Sequence, residues 1–440
     1  MPSNPRIYNP EMECMNPEER RKLQGERLRE TVQHEYDNVP FYRERMDVKG
    51  VKPEDIQSVD DLKLLPFMEK SDLRDTFPFG LLAVPKEEIV RIQGSSGTTG
   101  KPIVSGYTEN DVEIWSEMVA RAMAAVGADE HDIVQVCYGY GLFTGGLGAH
   151  QGGTKVGAMV IPMSSGNTQR QLMMMQELGS TVLCCTPSYA AYLGEAIHDA
   201  GLVPGKDIKL KAGLFGAEPW TEGMRQKIEE LLGIDACDIY GLTEIAGPGV
   251  AFECLEKHGS HVNEDHVIAE IIDPITEEQL PYGTPGELVF TTITKKGMPM
   301  LRYRTHDICT LHPEKCACGR TTVRMGRITG RTDDMIIVRG VNVFPSQIET
   351  VLVKTPGVAP HYQLIVDRVN NADILEVKVE MTEDVFTCTD SLSEIQRLQK
   401  EITEQIKSVV GIMAKVTLTA PKSLPRSEGK AKRVIDNRNL

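Results

Sequence analysis

Apolar and polar positions alternate along the chain with two periods, one typical of strands and one typical of helices. From about Ile89 to Phe290, short apolar runs recur in DIVQVCY, AMVIPM, STVLCCTP, LKAGLFG and ACDIYG. Segments with helical spacing, such as TQRQLMMMQELG and TEGMRQKIEELLG, separate some of these runs. Strands that alternate with helices predict a parallel sheet with covering helices.

The two ends of the chain differ from this central region. Residues 1–65 read as helical, most clearly in NPEERRKLQGERLRETVQHEYDN, which ends before Val39 and Pro40. After Arg331, QLIVDR and ILEVKVEMT alternate like strands, and SLSEIQRLQKEITEQIKSVVG has one apolar helical face. Ser391 and Glu394 form a candidate capping box for that helix. We predict an α/β fold, with a large domain over residues 1–332 and a small α+β domain over residues 333–440.

Composition and charge narrow the classes of partner. The chain has 440 residues, 40% of them hydrophobic and 25% charged, enough for two or three domains with buried cores. Its formal net charge of −15 repels nucleic acids and anionic membranes, so we expect neither as a partner. The chain has no apolar run of about 18 residues, and its N-terminal segment has no apolar signal core. We therefore expect no transmembrane helix and a cytoplasmic location.

The stretch QGSSGTTGKP, residues 93–102, is a candidate phosphate-binding loop. It is not a Walker P-loop, because Pro102 stands where that pattern needs a hydroxyl residue and Ser95 stands where it needs glycine. The following PIVSGYT predicts a strand, so we expect strand, loop and strand. A plain surface loop is the alternative. Phosphates could be bound by backbone N–H groups, by Lys101 and by the hydroxyls of Ser95, Ser96, Thr98 and Thr99.

Three further stretches have chemistry that suits a nucleotide. In YGLTE (240–244), Tyr240 could stack on a base, Thr243 could bind a phosphate and Glu244 could hold Mg²⁺. In YRTHD (303–307), Asp307 follows a strand-like run and could accept two ribose hydroxyls. In PRSEGKAKR, near the C-terminus, basic residues outnumber acids, so a lysine there could reach an anionic centre. An ordinary strand-to-turn junction and a solvated tail are the alternatives for the first and last stretches.

Taken together, these motifs resemble the adenylate-forming acyl-CoA synthetase superfamily. One aryl-acid branch of this superfamily, the phenylacetate–CoA ligases, has motifs of similar sequence in the same order. The matching stretches here are LPFMEKSDLR, GYGLFTGGLG, YRTHD and RGVNVFPSQIE. The resemblance covers nearly the whole chain. It implies a large adenylate-forming domain with mixed sheets and helices, and a small mobile lid domain that carries a catalytic lysine. Asp333 matches the hinge between the two domains.

The resemblance also implies residue roles in the ATP site. Thr243 would contact the α-phosphate, Glu244 would bind Mg²⁺, and Asp307 would hold the ribose with Arg331 beside it. The phosphate loop would be formed by Ser95, Ser96, Gly97, Thr98, Thr99, Gly100 and Lys101. The adenine site would be formed by Gly216, Ala217, Glu218, Asp238, Ile239, Tyr240 and Gly241.

The implied reaction has two halves. An aryl carboxylate attacks the α-phosphorus of ATP and expels pyrophosphate, and because two anions must meet, Mg²⁺ and Lys430 would neutralise the developing charge. The small domain would then rotate about Asp333, and coenzyme A would attack the acyl-adenylate to give a thioester and AMP. Lys432 is the competing assignment for the catalytic lysine.

The acid pocket is expected to be apolar. The stretch YGYGLFTGG places aromatic rings beside glycines that leave room for a ligand, although buried glycines and aromatics are also common in plain cores. Phenylacetate, ring-hydroxylated phenylacetates, indoleacetate and benzoate are not separable from the sequence. The candidate pocket residues are Tyr138, Tyr140, Phe143, Ala217, Ile245 and Pro248.

A second metal site is suggested by CACGR (316–320) and the upstream ECLEKHGSH. Cys254, His261, Cys316 and Cys318 would make a set of three cysteines and one histidine, which suits tetrahedral Zn²⁺ in a structural role. The spacing is not the common C-x₂-C, and reduced surface cysteines are the alternative. The rival ligands are His258, His306, Cys309 and His312.

Three functions remain open from the sequence. The leading hypothesis is an ATP-dependent aryl-acid–CoA ligase, which the resemblance suggests is a homodimer. The second is an adenylating enzyme that passes its acyl group to a carrier protein or an amine. The third is a zinc-bearing binding protein with a decayed ligase fold, which is disfavoured because Thr243, Glu244, Asp307 and Lys430 all have suitable chemistry.

Overall fold

The computed structural model describes residues 6–95, 103–332, 336–339, 341–369, 372–388, 392–426 and 433–438. Some of the predicted positions lie outside these residues. They are Ser96, Gly97, Thr98, Thr99, Gly100 and Lys101 of the phosphate loop, the hinge residue Asp333, the capping residue Ser391, and the two candidate catalytic lysines, Lys430 and Lys432.

Contacts within the chain group it into two compact units. The first contains residues 1–185, 204–217 and 234–328, and the second contains residues 186–203, 218–233 and 329–440. The second unit therefore includes two segments from the middle of the sequence. No helix in the described part of the chain is long and apolar enough to cross a membrane.

The N-terminal region of the first unit is largely helical, as the sequence predicts, and three further helices follow between residues 109 and 178. Asn16 caps the longest of the N-terminal helices, and its side chain accepts a hydrogen bond from Glu18 N. The α-helices are α1 (Pro10–Glu13), α2 (Pro17–Asn38), α3 (Pro40–Lys49), α4 (Lys70–Asp75), α5 (Glu109–Ala125), α6 (Thr144–Lys155) and α7 (Thr168–Leu178), and 3₁₀ turns occur at Pro53–Asp55, Val59–Leu64 and Lys86–Glu88.

The strands of the first unit include each apolar run that the sequence analysis marked as a strand. They are β1 (Arg91–Ser95), β2 (Ile103–Tyr107), β3 (Ile133–Val136), β4 (Met159–Pro162), β5 (Val182–Cys185), β6 (Ala212–Gly216), β7 (Asp235–Leu242), β8 (Gly247–Phe252), β9 (Ser260–Val262), β10 (Val267–Ile272), β11 (Gly286–Thr292), β12 (Tyr303–Cys309), β13 (Leu311–His312) and β14 (Arg324–Met325).

The largest sheet of this unit has the strand order β13-β14-β9-β8-β7-β6-β5-β3-β4 within the described residues. The segment from β4 to β7 is parallel, as the sequence predicts. From β8 to β13 the sheet continues with antiparallel strands, which the alternation of strands and helices did not indicate. Strand β7 therefore pairs with a parallel neighbour on one side and an antiparallel neighbour on the other.

Strands β10, β11 and β12 pair in antiparallel fashion. The sequence analysis placed Asp307 just after a strand, but β12 continues to Cys309 and Asp307 lies within it. The strand extends because its last residues pair with β11, through Gly286 with Cys309 and Glu287 with Ile308. This pairing depends on a distant strand, so the local pattern around YRTHD did not show it.

The second unit is an α+β unit with its own core. Strand β18 pairs with β19 in antiparallel and with β21 in parallel fashion, and β20 pairs in parallel with β19. Its helices are α8 (Pro187–Asp199), α9 (Glu222–Leu232), α10 (Pro345–Lys354), α11 (Glu383–Cys388) and α12 (Leu392–Val410), and its strands are β15 (Gly330–Arg331), β16 (Ile336–Val338), β17 (Val341–Val343), β18 (Val358–Val369), β19 (Ala372–Met381), β20 (Lys415–Thr419) and β21 (Val434–Asp436).

Candidate functional site

The carboxyl ends of β6 and β7 meet at one edge of the large sheet, because the two strands are parallel neighbours. Gly216 at the end of β6 is in register with Ile239 of β7. A Cβ atom at Gly216 would lie 2.1 Å from Ile239 O, so only glycine fits there. Ala217 follows with φ of 70°. The predicted adenine residues of the first unit, from two distant segments, are thus placed at a single edge, where α/β sheets usually bind ligands.

Thr243 and Glu244 lie in the turn that joins β7 to β8. The turn is tight, because Ile245 N and Ala246 N both donate to Leu242 O at 3.1 Å. A Cβ atom at Gly241 would lie 1.8 Å from Gly247 O, so the two strands approach too closely for any side chain there. The Thr243 hydroxyl and the Glu244 carboxylate are therefore carried by a rigid hairpin.

Two buried side chains hold this turn through its backbone carbonyls. Tyr107 Oη donates to Thr243 O at 2.7 Å, and Lys295 Nζ donates to Glu244 O at 2.9 Å. Lys295 also donates to Ser105 Oγ at 2.8 Å and lies 4.6 Å from the centre of the Tyr107 ring. Burial lowers the pKa of the Lys295 ammonium to about 8. The sequence analysis identified neither residue.

The Glu244 carboxylate is 3% exposed, and two described residues lie near its oxygen Oε1. Tyr303 Oη donates to Oε1 at 3.3 Å, and Lys70 Nζ lies 3.8 Å from it. A single carboxylate of this kind fits Mg²⁺, which proteins commonly bind through one or two carboxylates plus the phosphates of the substrate. Lys70 belongs to the stretch LPFMEKSDLR, which contributed to the resemblance but gave no residue role.

Tyr240 and Asp307, predicted separately for the base and the ribose, are in direct contact. Tyr240 Oη donates to Asp307 Oδ2 at 2.5 Å, and the Tyr240 ring lies 6.2 Å from that of Phe290, centre to centre. The contact joins the nine-stranded sheet to the sheet of β10, β11 and β12. It holds the aromatic ring and the carboxylate in one fixed arrangement.

Strands β1 and β2 flank the candidate phosphate loop, as the sequence predicts. The structure adds that they pair in antiparallel fashion, with Ser95 at the end of β1 opposite Ile103. Ser95 Oγ is buried and has no hydrogen-bond partner within the described segments. Gly94 N donates to Leu142 O at 2.7 Å, so this strand lies beside the segment that carries the candidate acid-binding aromatics.

The six candidate residues of the acid pocket lie in different surroundings. Tyr138 is buried and its hydroxyl donates weakly to Leu214 O at 3.4 Å, whereas Phe143 is 38% exposed. Tyr140 Oη lies 3.3 Å from His150 Nδ1. Ile245 is fully buried and lines a cavity of about 20 Å³ together with Lys295. Such a cavity has room for about one water molecule, so it is too small for an aryl acid.

The remaining two candidate pocket residues are Ala217 and Pro248. Ala217 immediately follows β6, and Pro248 O accepts a hydrogen bond from Trp115 Nε1 at 3.0 Å. Glu218 and Arg331 belong to the second unit, where Glu218 Oε1 accepts a hydrogen bond from Ser188 N at 2.7 Å. Asp238 N donates to Glu253 Oε2 at 2.8 Å.

The four predicted zinc ligands are brought together in the first unit. One ligand atom from each of Cys254, His261, Cys316 and Cys318 lies within 4.8 Å of the others. Of the rival ligands, Cys309 is buried in β12, and His312 Nε2 lies 2.7 Å from Thr310 Oγ1. Among the described residues, none of the rival ligands belongs to this cluster.

Comparison with known proteins places this site in a class. The model of the family described as "AMP-binding enzyme" matches residues 18–294. The model of the "AMP-binding enzyme C-terminal domain" matches residues 340–438. The chain therefore belongs to the AMP-binding enzymes. This chain is similar to a solved structure, the crystal structure of 2-hydroxyisobutyryl-CoA ligase in complex with 2-HIB-AMP in the postadenylation state. The two chains are 30% identical in sequence and superpose with a TM-score of 0.91, and the match covers 98% of this chain and 92% of the ligase.

Full-length relatives narrow the class. The phenylacetate–coenzyme A ligase of Thermus thermophilus is 49% identical, over 98% of this chain and 100% of the relative. That of Escherichia coli strain K12 is 48% identical, over 98% of this chain and 97% of the relative. The chain belongs to the phenylacetate–coenzyme A ligase family. The predicted fold class, and the prediction of an AMP-forming acid–CoA ligase that works through an adenylate, are confirmed.

Proposed function

We propose that phenylacetate, or a closely related aryl acid, is the acid that this enzyme joins to coenzyme A. The main support is the pair of relatives at 48–49% identity over essentially their whole length, both of which are named for phenylacetate. The apolar segment with Tyr138, Tyr140 and Phe143 beside β1 is consistent with an aromatic substrate. Together with Ala217, Ile245 and Pro248, these residues remain the proposed acid-binding set.

We assign the ATP-binding roles as the motifs imply. The Tyr240 ring would contact adenine, Asp307 would accept the ribose hydroxyls, and the hairpin at Thr243 would present its hydroxyl to the α-phosphate. The hydrogen bond between Tyr240 and Asp307 supports this arrangement, because it fixes the two groups that would bind adjoining parts of a nucleoside. The loop from Ser95 to Lys101 would hold the outer phosphates. The other proposed ATP-binding residues are Gly216, Ala217, Glu218, Asp238, Ile239, Gly241 and Arg331.

The first half-reaction requires that two anions approach each other. We propose that Glu244 holds Mg²⁺, which would supply positive charge at the phosphates. Lys430, from the C-terminal basic segment, would place a second cation beside the developing charge. The large domain would comprise residues 1–332, and the lid domain would comprise residues 333–440. The lid domain would rotate about a hinge at Asp333 between the first and the second half-reaction.

Three further features are proposed without a role in the chemistry. A structural Zn²⁺ would be held by Cys254, His261, Cys316 and Cys318. The enzyme would be a homodimer, which sedimentation analysis would test, and it would be located in the cytoplasm.

A pyrophosphate-release screen over aryl and alkyl acids, with and without coenzyme A, tests the proposed function. Phenylacetate and its close relatives should release pyrophosphate, and coenzyme A should be required for multiple turnovers. Lys430→Ala should abolish release but spare thioester formation from supplied acyl-adenylate, whereas Lys432→Ala should retain release. Equal activity with alkyl acids would overturn the substrate assignment. Turnover with a carrier protein or an amine in place of coenzyme A would favour the alternative acceptor.

A further inference from the structure

The cluster of three cysteines and one histidine has no part in the proposed reaction. Cys254 lies two residues after the end of β8, and His261 is the central residue of β9. Cys316 and Cys318 lie in the turn between β13 and β14. The first three are nearly inaccessible to solvent, and Cys318 is half-buried. The ligands thus come from three segments that the sheet places side by side.

Two of the separations between the ligand atoms match those of a tetrahedral zinc site. With Zn–S bonds of about 2.3 Å and Zn–N bonds of about 2.0–2.1 Å, a tetrahedron places two sulfurs about 3.8 Å apart and a sulfur and a nitrogen about 3.5 Å apart. Cys254 Sγ lies 3.8 Å from Cys316 Sγ, and Cys318 Sγ lies 3.5 Å from His261 Nε2. The described cysteines, including these three, are free thiols and form no disulfide.

Neighbouring groups orient these ligands for a metal. His261 Nδ1 lies 3.1 Å from Thr322 Oγ1, a contact that, with Nδ1 as donor, leaves Nε2 free to bind an ion. Arg320 Nη1 donates to Cys318 Sγ at 3.6 Å, which favours the thiolate form that zinc needs. Gly319, with φ of 100°, closes the turn that contains the two cysteines, and its N–H donates to Cys316 O at 3.0 Å.

The geometry points to one tetrahedral Zn²⁺ that joins the edge of the large sheet to the N-terminal segment of the chain. This inference deepens the zinc proposal above and does not depend on which acid the enzyme uses. Four protein ligands leave no open position, so the ion is structural. Strands β13 and β14 have only two residues each, so few backbone hydrogen bonds hold the turn between them. Coordination of the ion by Cys316 and Cys318 would fix this turn to β9 and to the end of β8.

The link to the N-terminal segment runs through the residues that follow the cysteine turn. Arg320 Nε donates to Glu13 Oε2 at 2.6 Å, and both side chains are buried. Arg320 Nη2 donates to Arg6 O at 3.0 Å, and Thr321 N donates to Glu13 O at 3.1 Å. If the ion fixes the turn, it also fixes the partners of residues 6–13. Loss of the ion should therefore loosen two segments that are far apart in sequence.

Metal analysis of the full-length protein, purified without chelators, tests whether the ion is present. About one zinc per chain is expected, and replacement by Co²⁺ should give the visible absorption of a tetrahedral cobalt–thiolate site. Cys316→Ser and Cys318→Ser should lose most of the metal, while Cys309→Ser, the matched control at a buried cysteine outside the cluster, should retain it. Protein without zinc, an iron–sulfur spectrum, or a Cys254–Cys316 disulfide would overturn the site.

Hydrogen exchange tests the role of the ion separately. Zinc is removed from the parent protein with a mercurial reagent and chelator, so the test does not depend on a variant that folds. Faster exchange is expected in residues 6–20, 254–262 and 313–323, with unchanged exchange in residues 341–369 and a Tm lower by several degrees. The contrary outcome is that removal of bound zinc changes exchange in residues 254–262 only. That outcome would overturn the link to the N-terminal segment, but it would leave the ligase assignment unchanged.

Discussion

At the residue scale, the candidate site depends on two side chains to which no ligand-binding role is assigned, Tyr107 and Lys295. Thr243 and Glu244 carry the proposed chemistry, but the backbone oxygens beneath them are held by Tyr107 and Lys295. A displacement of about 1 Å at a reacting group can cost a factor of about 100 in rate. We therefore regard Tyr107 and Lys295 as positioning residues for the adenylation half-reaction.

Removal of either hydrogen bond should slow adenylation selectively. Tyr107→Phe and Lys295→Met should each reduce ATP–pyrophosphate exchange by roughly 10-fold or more, because each leaves a buried carbonyl without its donor. Thioester formation from supplied acyl-adenylate should change little. Tyr282→Phe, at a side chain that is 58% exposed, is the matched control.

A double-mutant cycle separates positioning from a general loss of stability. If Lys295 acts through Glu244, adding Lys295→Met to Glu244→Gln should cost little more than Glu244→Gln alone. Additive losses, or equal losses in both half-reactions, would contradict the positioning role.

The sequence revealed the candidate residues at this scale but not their supports. Glu244 and Asp307 stood out because a carboxylate next to hydroxyl and aromatic residues has a recognisable chemistry. Lys295 lies 51 residues from its partner Glu244, and Tyr107 lies 136 residues from Thr243. No local pattern encodes such contacts, because they exist only after the sheets have formed.

At the element scale, two glycines of α6, Gly148 and Gly152, determine how closely this helix packs against its neighbours. A Cβ atom at Gly152 would lie 2.4 Å from Val119 Cγ1 in α5, and one at Gly148 would lie 2.6 Å from Pro248 Cγ. These two glycines allow α6 to approach its neighbours closely.

Gly152→Ala should therefore destabilise the protein, although alanine favours helices by about 1 kcal/mol over glycine. Overpacking against Val119 should outweigh this gain, with a net loss of about 1–2 kcal/mol measured by urea unfolding. Gly141→Ala is the control, because a Cβ there has no described neighbour within 4 Å. A Gly152→Ala protein as stable as the parent would show that α5 and α6 can separate at little cost.

At the scale of the whole molecule, the buried ammonium of Lys295 links stability to pH. Burial lowers its pKa to about 8, whereas an unfolded lysine has a pKa of about 10.4. Between these values the unfolded chain binds a proton that the folded chain does not. The contribution of Lys295 to the free energy of unfolding therefore rises with pH over this interval.

Lys295→Met should lack this contribution. The difference in the free energy of unfolding between parent and variant should shift in favour of the parent as the pH rises from about 8 to about 10. Urea unfolding at each pH measures this difference, and Lys296→Met controls for the loss of a neighbouring lysine charge. A difference that stays constant with pH would show that Lys295 does not titrate in that range.

The sequence by itself determined the strands of the parallel part of the sheet, several of the helices, the residue types of the nucleotide motifs, and the four candidate zinc ligands. It could do so because backbone periodicity and ligand chemistry are local properties that a single stretch of chain displays. Only the tertiary structure decided that β8 continues the sheet in antiparallel fashion, that Tyr240 binds Asp307, and that buried donors hold the Thr243–Glu244 turn. These features arise from pairings between distant segments, whose register is fixed when the strands and helices bury their apolar faces together.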